Sequence, residues 1–318
     1  IGSVALPVMR QRGYSERLTL GSIAAGGTLG ILIPPSLIMI VYGLIAEVSI
    51  GQLYVAAVVP GLLMVLLFLL TIVVSSIFSK KEPDPLDKSY NWREKLQGLI
   101  EILPIVALIV LIIGVIYAGV ATATEAAAFG VAGAFFMALL KGRVNGRMLE
   151  EAFLATASTT AMILFVLTAA FLLQFILGFV GVPRALSQWV LSFGLSELQL
   201  ILMICLIFIL LGMVLDGLPI VVAVVPIFLP LLHAQGVDLV WFGVILVILI
   251  ELGLITPPIG MNLFVLQGVR RRLYGNTSGT LTDIIVGVLP FVLAMLIVLG
   301  LVILFPPVAM SIVEGMRG

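Results

Sequence analysis

A chain of 318 residues that is 62% hydrophobic and 10% charged, with a mean hydropathy of +1.32, departs from the roughly one-quarter charged residues of a soluble domain. Its sixteen basic and sixteen acidic residues balance, which gives no reason to expect nucleic acid, and its single cysteine, Cys205, excludes a disulfide framework or a paired-cysteine centre. The expected class is an all-α integral membrane protein embedded in the lipid bilayer. The chain starts at Ile1 without Met or a charged-then-apolar leader, so the expectation is a sequence that is N-terminally incomplete.

A span takes about 20 apolar residues. In chain order the candidates are 18–46, 53–79, 99–119, 124–140, 152–178, 239–267 and 283–306. Between them lie three basic loops, Lys80, Lys81, Lys88, Arg93 and Lys95, then Lys141, Arg143 and Arg147, then Arg270, Arg271 and Arg272, all expected in the cytoplasm. The tail after Pro306-Pro307 is then periplasmic. Crossing parity requires both ends of 198–233 to lie outside. This segment therefore reads as a re-entrant hairpin with its tip at Leu215-Asp216-Gly217-Leu218-Pro219. Trp92, Trp189 and Trp241 sit near span ends, as interfacial anchors do, and Ser187 to Phe193 reads as a short helix along the outer surface.

One segment occurs twice. Leu29-Gly30-Ile31-Leu32-Ile33-Pro34-Pro35 matches Leu252-Gly253-Leu254-Ile255-Thr256-Pro257-Pro258 at an offset of 223 residues, Pro34 to Pro257. The same offset lays Leu6-Pro7 on Leu229-Pro230 and Gly13 on Gly236. A Pro-Pro pair removes backbone donors, and at membrane depth the freed polar groups are tolerated only where they line a cavity or coordinate something. Matched breaks in two halves point to the midplane site of a secondary transporter. The base of the first hairpin carries Arg10, Arg12 and Arg17, and that of the second His233 and Asp238, so the repeats are expected to be inverted. By the same offset the counterpart of Asp216 falls before Ile1, and the tip and entering helix of the first hairpin are expected to be missing.

The candidate site residues cluster at the breaks. Gly26, Gly27, Thr28, Gly30, Pro34, Pro35 and Ser36 supply carbonyls and two hydroxyls at the first; Thr256, Pro257, Pro258, Gly260, Met261 and Asn262 lie around the second, where Asn262 adds an amide oxygen. Such hard oxygen donors suit Na+ or polar groups of a substrate; small residues also simply allow tight helix packing. Asp216 reads as an ion ligand, because a charge near the bilayer centre costs roughly 2.5–3.5 kcal/mol without a partner, or else as a helix cap. Glu251 is a proton or Na+ site or a bond across a helix interface. Thr122-Ala123-Thr124-Glu125 is a capping box, and His233 reads as interfacial.

No zinc pair, nucleophile elbow or phosphate loop occurs, so an enzyme is not expected. At Gly30–Ser36, at Ala-Thr-Glu-Ala-Ala-Ala (123–128) and at Leu254–Leu263 the chain resembles, over its whole length, the large membrane subunit of a tripartite ATP-independent periplasmic (TRAP) transporter. The resemblance implies Na+-coupled import, by an elevator mechanism, of an organic acid such as a C4-dicarboxylate or sialic acid. It also implies a periplasmic solute-binding protein, a small four-helix membrane subunit, residence in the bacterial inner membrane and no organic cofactor. Na+ would lie at Gly27, Thr28, Ser36, Asp216, Thr256, Gly260 and Asn262, each hairpin serving the break of its own repeat. The expected division is 1–52 transport domain, first repeat; 53–151 scaffold; 152–197 connecting helix and arm; 198–272 transport domain, second repeat; and 273–318 a C-terminal scaffold helix. A stand-alone divalent-anion/Na+ symporter, or a channel or structural membrane subunit, is the alternative.

Overall fold

A computed structural model describes residues 2–78, 92–275 and 279–317. Among them every regular element is helical, as lipid requires of an open chain that must satisfy its own backbone. The basic loop at Lys80, Lys81 and Lys88 lies outside the described residues.

Helix α1 (Gly2–Gln11) turns at Gly13 into α2 (Glu16–Leu32), which Ser15 caps by accepting from the Leu18 N–H at 3.3 Å. Pro34 and Pro35 cannot continue the helical ladder, so α3 (Leu37–Ile45) restarts beyond them, bent by 43°. Then come α4 (Ile50–Phe78), α5 (Trp92–Tyr117), α6 (Ala123–Leu140) and α7 (Gly146–Val180). The expected Thr122–Glu125 capping box opens α6. The expected Ser187–Phe193 helix falls largely within α8 (Val182–Leu191), which starts earlier, after an N-cap at Gly181. Next, α9 (Glu197–Gly212) reaches a turn at 213–216, and the chain returns through α10 (Gly217–Pro219), a π-helical stretch (Ile220–Val224) and α11 (Val225–Ala234). The second broken helix is α12 (Leu239–Ile255) followed by α13 (Met261–Tyr274), and α14 (Leu281–Leu304) and α15 (Pro307–Arg317) close the chain.

Among the described residues five helical stretches are long and apolar enough to cross a membrane, or six if the bent α2–α3 pair is one span. The 223-residue offset reappears in helix bounds. It separates Gly2 from Val225 and Gln11 from Ala234, and equally Glu16 from Leu239 and Leu32 from Ile255. Gly13 and Gly236, at the same spacing, take φ of 69° and 71°, and both Pro-Pro bonds are cis.

At the centre lies α12, buried at every residue from Leu239 to Ile255. Helices in lipid gain little from mutual hydrophobicity, so small residues that let backbones approach decide which ones lock together. Two such contacts organise the core. A Cβ on Gly21 of α2 would overlap the Gly287 carbonyl of α14, and Gly212 at the end of α9 lies against Gly253 of α12. Trp241 belongs to this core rather than to the lipid interface: its ring is buried and its Nε1 donates to the Val302 carbonyl at 2.9 Å. Its place at a span end resembles that of Trp92 and Trp189, which are exposed; the difference is that α14 covers it. The peripheral helices contrast with the core, since α6 buries Ala126 and α7 Ala170 while Phe165, Phe175 and Phe179 face outward.

Candidate functional site: two helix breaks

Each break follows from proline chemistry. A helical carbonyl accepts from the N–H four residues on, so Pro34 and Pro35 leave the Gly30 and Ile31 carbonyls without that donor, as Pro257 and Pro258 leave those of Gly253 and Leu254. The Ile33 N–H still bonds the Leu29 carbonyl at 2.9 Å, and the Thr256 N–H reaches the Gly253 carbonyl at 3.3 Å. Each broken helix therefore ends one half, at its negative end, on carbonyls that lack the usual helical donor, ahead of the positive end of the next half.

The hydroxyls and glycines fall around these ends. Thr28 is buried and its Oγ1 donates to the Ala25 carbonyl at 2.8 Å; Thr256, half-buried, donates to the Leu252 carbonyl. Ser36 is buried, caps α3 by accepting from the Met39 N–H at 3.4 Å, and gives its carbonyl to the Tyr54 hydroxyl at 3.4 Å. Gly260 has φ 46° and starts α13 without a side-chain cap; a Cβ there would press on the Thr256 carbonyl. At the start of α13 the Leu263 N–H donates to the Gly260 carbonyl at 2.8 Å and no side chain caps the turn, whereas the first turn of α3 is partly served by Ser36. Pro257 and Asn262 are half-buried, and Gly27, Gly30, Pro35, Pro258 and Met261 are exposed.

The turn at 213–216 and the start of α1 complete the picture, each lying against helices from both broken pairs. Asp216 is exposed and caps α10, its Oδ1 accepting from the Gly217 N–H at 2.8 Å. Beside it Gly217 is buried between Ile250 of α12 and Ile38 of α3. At the other end of the molecule's repeat, Gly2 and Ser3 of α1 join Gly27 of α2 and Asn262 and Leu266 of α13 around a cavity of about 290 Å³. Gly217 thus lies between α12 and α3, and the start of α1 between α2 and α13. The cavity brings Gly27 and Asn262 together. Pro34 points elsewhere, into an apolar crevice of about 420 Å³ against Gly61 of α4 and Ile113 and Tyr117 of α5.

Two charged residues gain roles that sequence reasoning left open or missed. Glu251 is fully buried in α12, and its Oε1 accepts the Leu32 N–H at 3.0 Å, the interface bond that was one of its alternatives. Its Oε2 has no hydrogen-bond partner. Arg270, read as one of three loop cations, is 1% exposed. Its Nη2 meets Glu16 Oε1 at 2.6 Å and Asp283 Oδ2 at 3.7 Å, and its Nη1 donates to the Thr280 carbonyl at 3.0 Å. It ties α13 to the start of α2 and of α14. Arg271 and Arg272 stay exposed, and one-letter neighbours of the same type carry no signal of which the fold will bury.

Comparison with known proteins matches residues 1–308 to the family described as "Tripartite ATP-independent periplasmic transporter, DctM component". The chain belongs to this family. Among its relatives, the C4-dicarboxylate TRAP transporter large permease protein DctM of Pseudomonas aeruginosa is 34% identical, covering 98% of this chain and 71% of that protein. The sialic acid TRAP transporter large permease protein SiaM of Vibrio cholerae is 30% identical, covering 100% and 72%. The isethionate TRAP transporter permease protein DctMQ of Oleidesulfovibrio alaskensis is 32% identical over 98% of this chain, which spans 48% of that longer protein. A TRAP large permease is a transport protein rather than an enzyme, and the apolar helices make this one a multi-pass membrane protein.

Proposed function

We propose that the chain is the permease subunit of a Na+-coupled importer of an organic acid in the bacterial inner membrane. It receives its substrate from a periplasmic binding protein and works beside a small membrane subunit. The observation that carries this reading is that Gly217 lies between Ile250 and Ile38 while Gly2 and Ser3 share a cavity with Gly27 and Asn262, which supports a site drawn from both halves of the chain. Half-helix C-termini with donor-less carbonyls at Gly30, Ile31 and Leu254 suit a weakly held cation, with Thr28, Ser36, Asp216, Thr256 and Gly260 as further oxygen donors. The uncapped N-terminus of α13, beside the cavity of Gly27 and Asn262, suits a carboxylate. The hard oxygen set favours Na+ over softer metals.

The two repeats are read as inverted, and transport as an elevator motion of the body that contains both breaks. The interlock of Gly21 with Gly287 supports carrying α14 with that body, unlike the scaffold role that sequence gives 283–306, because backbones in such contact do not slide. Pro34, α4 and α5 meet instead across an apolar crevice, which supports a sliding boundary between α4 and α5.

Reconstitution of the full-length permease with its partner proteins tests the reading. Uptake of an organic acid is expected to need both an inward Na+ gradient and the binding protein. Uptake without the binding protein would instead favour a stand-alone symporter, and uptake indifferent to Na+ would favour an uncoupled channel.

A further inference from the structure

The Glu251–Leu32 hydrogen bond joins residues 219 apart in sequence, about one helical turn out of register with the 223-residue offset, near the ends of the two broken helices. Leu32 is the last residue of α2, directly before the first break, and Glu251 lies on the last turns of α12, before the second. Neither helix needs this bond to form. At the 223-residue offset the counterpart of Glu251 is Thr28, and α2 reaches the same length and ends at the same place with a threonine there. Thr28 turns its hydroxyl inward to the Ala25 carbonyl of its own helix. The link therefore runs one way, from the second repeat to the first, through a carboxylate that is wholly enclosed and whose other oxygen has no partner. Around it every residue of α12 is buried, so the carboxylate has little freedom to release Leu32 and bond water instead.

We propose that Glu251 is a positioning residue that couples the two breaks. Closure of Thr256 to Gly260 around a ligand displaces the end of α12; Glu251 passes that displacement to the Leu32 N–H, and so to the donor-less carbonyls of Gly30 and Ile31 that precede Pro34. Two sites tied through one bond share a coupling free energy, and occupancy of either then raises affinity at the other by the same factor. Glu251 touches neither ion nor substrate in this scheme. It acts through the backbone of the first break.

This rests on the reading of the breaks as the Na+ and substrate site, and the test separates the two. The full-length permease, reconstituted with its partner proteins, is assayed for the substrate KM at low and at saturating Na+. In the unaltered protein, low Na+ should raise the KM by about fivefold or more, the lower range of ordinary coupling. Glu251→Thr, the residue type that the first repeat accepts at this position, should flatten that Na+ dependence while maximal uptake at saturating Na+ and substrate persists. Glu251→Gln, whose amide oxygen still accepts the Leu32 N–H, should preserve it. If Glu251→Thr fails to insert, Glu251→Gln against Glu251→Met gives the same contrast. Coupling that survives Glu251→Thr or Glu251→Met, or that Glu251→Gln abolishes equally, overturns the inference alone. Wild-type uptake indifferent to Na+ overturns the coupling-ion reading and this inference with it.

Discussion

Helices α2 and α12 have the same length and matched ends, yet they are buried in opposite ways. Every residue of α12 is enclosed, whereas α2 buries one face through Leu20, Gly21, Ala24, Ala25, Thr28 and Leu32 and leaves Gly26, Gly27 and Gly30 open. The bounds of the two helices thus match at the 223-residue offset, while their packing differs. The second copy is the centre around which α9, α14 and α2 pack. The first copy presents a bare glycine face beside its break, where a Cβ on Gly26, Gly27 or Gly30 would meet nothing.

The sharpest way to break this contrast lies within α2 itself. Gly21→Leu should cost about 3 kcal/mol, the upper end of overpacking costs, because the Gly287 backbone cannot retreat without moving α14. Gly26→Ala, five residues on but on the open face, should gain about 0.5 kcal/mol from lost unfolded-chain entropy. Melting temperatures of the purified full-length permease in detergent check both. Equal effects at the two positions would mean that the two faces of α2 are not differently packed.

At the base of the second broken helix the expected effect is smaller. Arg270→Ala should destabilise by about 2 kcal/mol, less than a fully enclosed ion pair would lose, because Glu16 remains half-exposed and can hydrate. Arg270→Lys should recover only part of it, since one ammonium cannot reproduce the fork that meets Glu16 and the Thr280 carbonyl together. Arg271→Ala, on the exposed side of the same turn, should be near neutral. The same melting assay reads all three.

Much of this architecture was legible in the residues. The doubled Pro-Pro segments fixed both breaks, and their offset carried over to the bounds of α1, α2, α11 and α12, because helix ends are written locally in prolines, glycines and caps such as Ser15 and Asp238. Thr122 and Glu125 announced α6 for the same reason. What stayed hidden depends on contacts between distant segments. Nothing near Glu251 names Leu32 as its partner, nothing separates Arg270 from Arg271, and Trp241 looks like an interfacial anchor until Val302 accepts its indole N–H. The packing of Gly217 between α12 and α3, and of Gly2 beside α2 and α13, is of the same kind, since a sequence match pairs residues by position and cannot say which helix lies beside which.

Whether the two breaks hold the coupling Na+ is read most directly at Asp216, because its two possible duties respond differently to one substitution. Asparagine caps a helix about as well as aspartate, so Asp216→Asn should leave the melting temperature unchanged while retaining the bond to the Gly217 N–H. Loss of the charge from an ion site should nonetheless raise the Na+ concentration for half-maximal uptake by about tenfold, the equivalent of about 1.4 kcal/mol. A tenfold shift at constant stability, in the full-length permease with its partner proteins, is the result predicted here. An unchanged Na+ dependence in Asp216→Asn, repeated in Ser36→Ala and Thr256→Val, would contradict it and leave the breaks as packing features alone.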